Sequence, residues 1–350
     1  MAPIKSSLAK SAKQLLGLRN TADLGLRGAT QNTRFKLPDP IDASGGTKID
    51  SSPTVHYHVF VSDSPFVVTT GGDADIFLIG GGGGSSTSLA GGGGAGGAVH
   101  LTGTTLTSGV TYSVVVGAGG AEKDVAAPSS LTGNNGANST FTHPGDSTVL
   151  TALGGGYGAS YAVGNAHNGG CGGGRELGPD TGGLGQQPSQ AQPFHTSHGG
   201  TLNQYGNDGN LYSPPAGNFG GGGGGTGAGG ASASGTSKNG GDAQPFSDFP
   251  APLLAPAIPS GPVRTRWTSE VGPTGLFGGG GGGGARDGHI AGRGGTGGGG
   301  DGYNVPSPQG SSDGANYTGG GGGSGSYPFS PGENGAGGHG IVIIRYVDPT

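Results

Sequence analysis

Cysteine is almost missing from this 350-residue chain. Cys171 stands alone, which excludes an intrachain disulfide and any thiolate cage for a metal. Charge is sparse as well, at 11% of residues, and there is a single tryptophan. No apolar run approaches the ~20 residues that span a bilayer, and the N-terminus has no continuous apolar signal core. Catalytic signatures are also missing. No G-K-[ST] or H-E-x-x-H occurs, and the G-x-S-x-G match GSSDG at 310–314 has no strand pattern before it and no helix pattern after it. The many G-x-G-x-x-G matches follow from composition, and none joins a strand to a helix with an acidic partner downstream. No nucleophile, base and orienting group can be assembled, so an enzyme is not expected, and no cofactor is expected.

Glycine is what the chain has instead: 89 residues, about a quarter, against a usual ~7%. Collagen is excluded because no strict Gly-X-Y register holds. Unstructured chains are poor in β-branched and aromatic residues, whereas this one has 10 Tyr, 11 Phe and clear Val/Ile/Thr-rich runs. Glycine is unevenly spread. Residues 1–79 hold seven, and residues 80–350 hold the rest.

Charge divides the chain too. Residues 1–36 carry seven basic side chains against Asp23 alone, a net +6, so the remainder of this net −5 chain is at −11. A basic arm thus precedes an acidic body and is expected to meet something acidic: a protein partner, nucleic acid or a membrane surface. Ser6 or Ser7 can cap a short helix with Leu8, Ala12, Leu15 and Leu16 on one face and Lys10 and Lys13 outside it. Three turns are marginal alone, so the arm is read as a docking segment, with Lys5, Leu8, Lys10, Lys13, Leu15, Leu16, Arg19 and Arg27 as its contact residues. Basic, acid-poor composition is also shared with mitochondrial transit peptides. Residues 20–54 read as a polar connector, in which LPDP disfavours helix.

From Val55 the texture is that of strands and hairpins. The expected strands are 55–61, 66–70, 75–79, 98–102, 110–116, 139–142, 147–153 and 340–347, the last being the most β-prone. About eight short strands predict a mainly β fold, a β-sandwich or jelly-roll-like body. Nearly 190 residues separate the last two strands, so the glycine-rich stretch is a set of long excursions from one sandwich. The domain plan is an arm and connector over 1–54 and a glycine-rich β-sandwich over 55–350, with a long loop insertion at 157–275.

The glycine runs include Gly80–Gly84, Gly91–Gly94, Gly220–Gly225, Gly278–Gly284 and Gly319–Gly323. A linker occupies one place, whereas these runs recur between aromatic-bearing segments. Polyglycine can form an extended threefold helix with no internal hydrogen bonds. Packed side by side, such helices satisfy each other's backbone groups. Only glycine fits the inward positions, so Gly222 and Gly281 are expected to be structural.

The order VHYHVFVSDSPFVVTTGGDADIFLIGGGGG, LTSGVTYSVVVGAGG, GNNGANSTFT, LTALGGGYG and GGHGIVIIRY resembles the glycine-rich domain of bacteriophage virion appendages, over about residues 54–350. The opening MAPIKSSLAKSAKQLLGLRNTADLGLRGATQ is similar to short N-terminal arms of marine-phage virion proteins. The resemblance implies a non-enzymatic protein of the virion exterior. Its expected role is a tail-fibre or adhesin subunit, docked through the arm onto other virion proteins. A host surface glycan or outer-membrane protein would be its target. Homotrimers are the family habit, and no nucleic acid is implied. A capsid decoration or head-fibre protein, or an ice-binding-like extracellular protein, would use the same architecture.

Receptor contacts are sought among aromatics in or beside the excursions: Tyr157, Tyr161, Phe246, Phe249 and Trp267. The competing reading is that they pack over a glycine layer that has no side chains to bury. His56 and His58 form H-x-H on a strand, a pattern that can ligate metal on the axis of trimeric phage fibres. Two polar-face strand residues are the simpler reading, and no metal is assigned. His195 and His198 lack two further ligands nearby.

Overall fold

The computed structural model describes residues 39–349, except 87–89, 124–132, 161–164, 176–181, 211–218, 232–237, 286–288, 304–312 and 326–333. The N-terminal arm and all its docking residues, Lys5 to Arg27, therefore lie outside the described residues. Pro40–Thr350 forms one compact unit. Its strands are β1 (Asp42–Ser44), β2 (Thr47–Asp50), β3 (Val55–Phe60), β4 (Ser64–Thr70), β5 (Gly72–Ile79), β6 (Ala98–Leu106), β7 (Val110–Val115), β8 (Ser139–His143), β9 (Thr148–Ala152), β10 (Thr201–Tyr205), β11 (Gln244–Pro245), β12 (Leu276–Phe277) and β13 (Ile341–Val347). The eight expected strands are all there. β1 and β2 begin the body near Pro40, inside the stretch read as connector.

The fold is mainly β. One sheet has the order β1-β4-β7-β8-β9 and a second the order β10-β6-β5-β13-β3-β2; all pairings in both are antiparallel. The C-terminal strand lies centrally, between β5 and β3. Its sequence explains this placement. Val342, Ile344 and Tyr346 face the five-stranded sheet across a core with Phe66, Tyr112, Phe141 and Leu150. Ile341 and Ile343 face the other way, into a second core. A strand covered on both faces reads as an unbroken apolar run rather than an alternation. β5 behaves alike, with Ile76 and Leu78 in the first core and Phe77 and Ile79 in the second.

The second core is closed by short helices, Ala251–Leu254 and Pro262–Val271, drawn from the 157–275 stretch. That stretch is therefore not a loop insertion alone. It supplies a helical layer, strands β10 and β11, and several glycine segments of the bundle described next.

From one end of the sandwich the glycine segments run outward as rods. Residues 80–85 show their logic. Gly81 and Gly84 donate to Ala137 and Asn134, Gly82 and Ser85 to Gly338 and Gly335, and Gly80 and Gly83 to Gly97 and Gly94. Partners thus recur every third residue, the screw of the polyglycine II helix. The carbonyls of the same rod accept from Gly155 and Gly158, from Gly120 and Lys123, and from Gly322. One rod so bonds six neighbours. The 278–284 rod repeats the pattern: its N–H groups reach 297–300, 238–241 and 90–93, and its carbonyls serve 321–324, 292–295 and 220–226.

Side chains have no room in this lattice. A Cβ on Gly81, Gly82 or Gly83 would lie 2.0, 2.0 or 2.2 Å from backbone oxygens of Ala118, Gly320 and Gly156, three different rods. Gly222 and Gly281 sit the same way, 1.9 Å from the Asn239 oxygen and 2.0 Å from the Gly322 oxygen. Cys171 is a rod residue too: Gly156 donates to its carbonyl, its own N–H reaches Ala95, and it is fully buried. Burial pushes its thiol up to about 12, so it stays protonated and inert near neutrality.

Gly281→Val and Gly222→Val are expected to destabilise the body by about 3 kcal/mol or more, because rigid backbone must move to admit the side chain. Gly229→Ala, whose Cβ meets only the Asp208 oxygen at 3.2 Å, is expected to stay close to wild type. Thermal melts of the three variants check this; wild-type melting of Gly281→Val would contradict the packed-rod reading.

Candidate functional site

The two ends of the body differ. At the end away from the rods, the Ile41 N–H donates to Asp348 and the Asp348 N–H donates to the Thr54 carbonyl. The beginning and the end of the body therefore meet there. At the opposite end the rods terminate together: Ser86 bridges Lys123, Ala159 bridges Arg175 and Phe219 bridges Ala285. The rods of residues 80–86, 117–123, 206–210, 278–285 and 319–325 all run outward from the sandwich toward this end. Tyr161 lies outside the described residues.

Several anchors stand at this outer end. The Lys238 ammonium lies 3.4 Å from the Phe219 ring centroid and donates to the Ile290 carbonyl. Burial lowers this lysine to about 8. Arg175 Nη1 donates to Asn165. Tyr157 stacks on His167 with centroids 5.0 Å apart, and His167 Nδ1 lies 2.7 Å from the Asn135 amide nitrogen. Beside them a cleft of about 410 Å³ is lined by Asn165, His167, Asn168, Leu184 and Gln186. Such a surface offers a stacked aromatic pair and planar amides, chemistry suited to uncharged polar ligands.

The other aromatics expected to touch a receptor are elsewhere. Phe246, Phe249 and Trp267 are 4%, 0% and 0% exposed and belong to the second core. Phe77 stacks on Phe249 at 5.1 Å and meets Phe246 at 4.6 Å. The Trp267 indole N–H donates to the Tyr317 carbonyl at 2.9 Å. They present no face to a partner, which corrects the sequence expectation. The physical reason is that a sheet apolar on both sides needs a second cover, and proline-rich 243–262 with its neighbouring helix supplies it.

The histidines are absorbed by the body. His56 spans Asp50 and Asp348 at 2.5 and 3.0 Å. His58, fully buried, bonds the Gly45 carbonyl at 2.8 Å and the Tyr346 hydroxyl at 3.2 Å. Both ring nitrogens of each therefore have partners within the chain. His195 and His198 do not act as a pair: His195 reaches the Gly200 carbonyl, whereas His198 turns to Asp146. The meeting of His198 with Asp146 and His143 has no spacing signature, since 52 residues separate His198 from Asp146.

The sequence pattern of the glycine-rich domain matches residues 62–347, most of the chain. The chain belongs to that family. No curated protein matches it. In this glycine-rich domain protein the matched span begins just before β4 and ends with β13, and so takes in nearly the whole sandwich and rod bundle.

Burial lowers His58 and His100 from the ordinary 6.5, with only partial opposition from the Gly45 bond to His58 and from Asp75 and Asp248 beside His100. The unfolded chain therefore takes up these protons before the folded one does. Stability is expected to be full above about pH 6.5 and to decline as pH falls below it. Thermal melts between about pH 7 and about pH 5 check the sign, and His100→Phe is expected to weaken the slope.

Proposed function

We propose that this glycine-rich domain protein is a non-enzymatic component of a bacteriophage particle, a tail-fibre or adhesin subunit on its exterior. The N-terminal arm, residues 1–36, docks onto other virion proteins. The outer end of the rod bundle carries the surface that meets the host, a surface glycan or an outer-membrane protein. The observation that carries this reading is the polarity of the body. Its beginning and its end meet at one end, where the Ile41 N–H donates to Asp348, and its glycine rods run outward to the other. Recognition usually sits on loops held by a rigid scaffold, and a bonded rod lattice is such a scaffold. The phage assignment rests on the resemblance of the strand and glycine order. The net charge of +6 over residues 1–36 fits a docking segment.

The segments between the rods suit this role by composition. Residues 211–218 are LYSPPAGN and residues 326–333 are SYPFSPGE, with tyrosine or phenylalanine beside serine and proline. Tyrosine gives a large contact at low entropy cost.

Two constructions test the two halves. Replacing residues 211–218 and 326–333 by Gly-Ser segments of equal length is expected to leave folding and particle incorporation intact while reducing host adsorption at least ~10-fold, since tyrosine-bearing contacts dominate such surfaces. Deleting residues 2–36 is expected to leave a folded body that no longer enters particles. Unchanged adsorption in the first case, or normal incorporation in the second, would overturn the corresponding half. Labelling the protein on intact particles distinguishes a tail position from a capsid lattice.

A further inference from the structure

The end of the sandwich away from the rods holds a cluster that the binding role does not use. His143 ends β8, Asp146 sits in the turn to β9, and His198 ends the Pro193–His198 helix. One donor atom from each lies within 4.8 Å of the others. His143 Nδ1 is 3.2 Å from Asp146 Oδ1, and His198 Nε2 is 3.1 Å from Asp146 Oδ2. The two imidazoles stack at 4.9 Å. His143 is packed edge-on against Tyr112, and His198 lies against Phe194.

The donor atoms sit at ligand spacing. His143 Nδ1 and Asp146 Oδ1 are 3.2 Å apart, and His198 Nε2 and Asp146 Oδ2 are 3.1 Å apart. Bonds of 2.0–2.1 Å in a tetrahedron put neighbouring ligands about 3.4 Å apart. The Gly145 N–H also reaches His143 Nδ1, at 3.1 Å, a bond that an ion on this nitrogen would displace. The carboxylate is oriented from behind. Thr148 gives its N–H and its hydroxyl to Asp146 Oδ1, at 3.0 and 2.7 Å, which leaves Oδ2 toward His198. Such outer hydrogen bonds are how protein metal sites fix a ligand. They also hold the Asp146 carboxyl down at about 2.

We propose that His143, Asp146 and His198 form a site for one divalent transition-metal ion of the zinc class. Two imidazoles and one carboxylate are the protein ligands, and water is the fourth. Imidazole with carboxylate suits zinc, and three protein ligands with one open position are a known zinc arrangement. The ion joins the β8–β9 turn to the helix end, two segments about fifty residues apart in sequence. In a chain with a single cysteine it does the work of a crosslink.

Titration of the full chain with zinc ion alone tests this, by calorimetry and by thermal melting with and without the ion. The expected result is one ion per chain with Kd of about micromolar or tighter and a raised Tm. His198→Ala is expected to lower affinity at least ~100-fold and to remove the Tm rise, and Thr148→Val to lower affinity about 10-fold. Asp146→Asn replaces His198→Ala if the latter fails to fold. His195→Ala, three residues away, is expected to bind as wild type. No saturable binding, or equal binding by wild type and the His198 or Asp146 variant, would overturn the site.

Discussion

A buried backbone without side chains must pair its own polar groups, and the glycine bundle depends on that requirement. Each rod residue fixes two dihedrals, costing about 1–2 kcal/mol, and glycine loses more freedom than any other residue. Each also donates one hydrogen bond and accepts one. A helix or sheet meets the requirement within one element or between two. The threefold rod instead turns each successive N–H to a different neighbour, so one segment such as 80–85 needs six others around it. Few rods would leave most groups unpaired, so the arrangement is cooperative in number. The same geometry excludes side chains, because an added Cβ would fall about 2 Å from a neighbouring carbonyl, as at Gly81 or Gly281. Hydrogen bonding and close approach are therefore one constraint seen twice.

The sandwich is the device that starts the rods in register. Gly80 follows directly on β5, Gly340 leads directly into β13, and Leu153 follows β9. Adjacent strands thereby deliver adjacent rods. At Gly278 and Gly319 the chain takes φ of +88° and +68° where it turns into a rod, a conformation for which glycine pays little. The closing strand ties the last rod to the centre of the six-stranded sheet, between β5 and β3. Where strands of the six-stranded sheet are neighbours, as β6, β5 and β13 are, the rods they deliver are hydrogen-bonded neighbours too.

Much of this was legible in the sequence, for stated reasons. Strand positions came from β-rich runs with turn residues between them, and the rods from the recurrence of glycine runs between aromatic-bearing segments. The apolar run IVII was readable as a strand, and its burial on both faces explains why it does not alternate. What escaped was long-range placement. Phe246, Phe249 and Trp267 read as receptor anchors beside the excursions, and nothing local says that they cover the back of β5 and β13. β1 and β2 are too short and polar to stand out: DAS and TKID gain their strand identity from β4 and β3 alone. The approach of His198 to His143 and Asp146 is likewise set by where a six-residue helix lands on β9.

The architecture separates two demands that usually conflict in binding proteins. Sequence freedom at a contact surface normally erodes the fold beneath it. Here the fold beneath is held by backbone bonds between glycines, which specify nothing about the residues at the rod ends. A connector such as 211–218 can change its side chains while Asn210 and Phe219, its attachment points, keep their partners in the lattice: Asn210 donates to Gly222, and Phe219 bridges Ala285. The scaffold is correspondingly intolerant inside, where a single methyl group meets a carbonyl. Stringency in the rods and licence at their ends are consequences of the same packing.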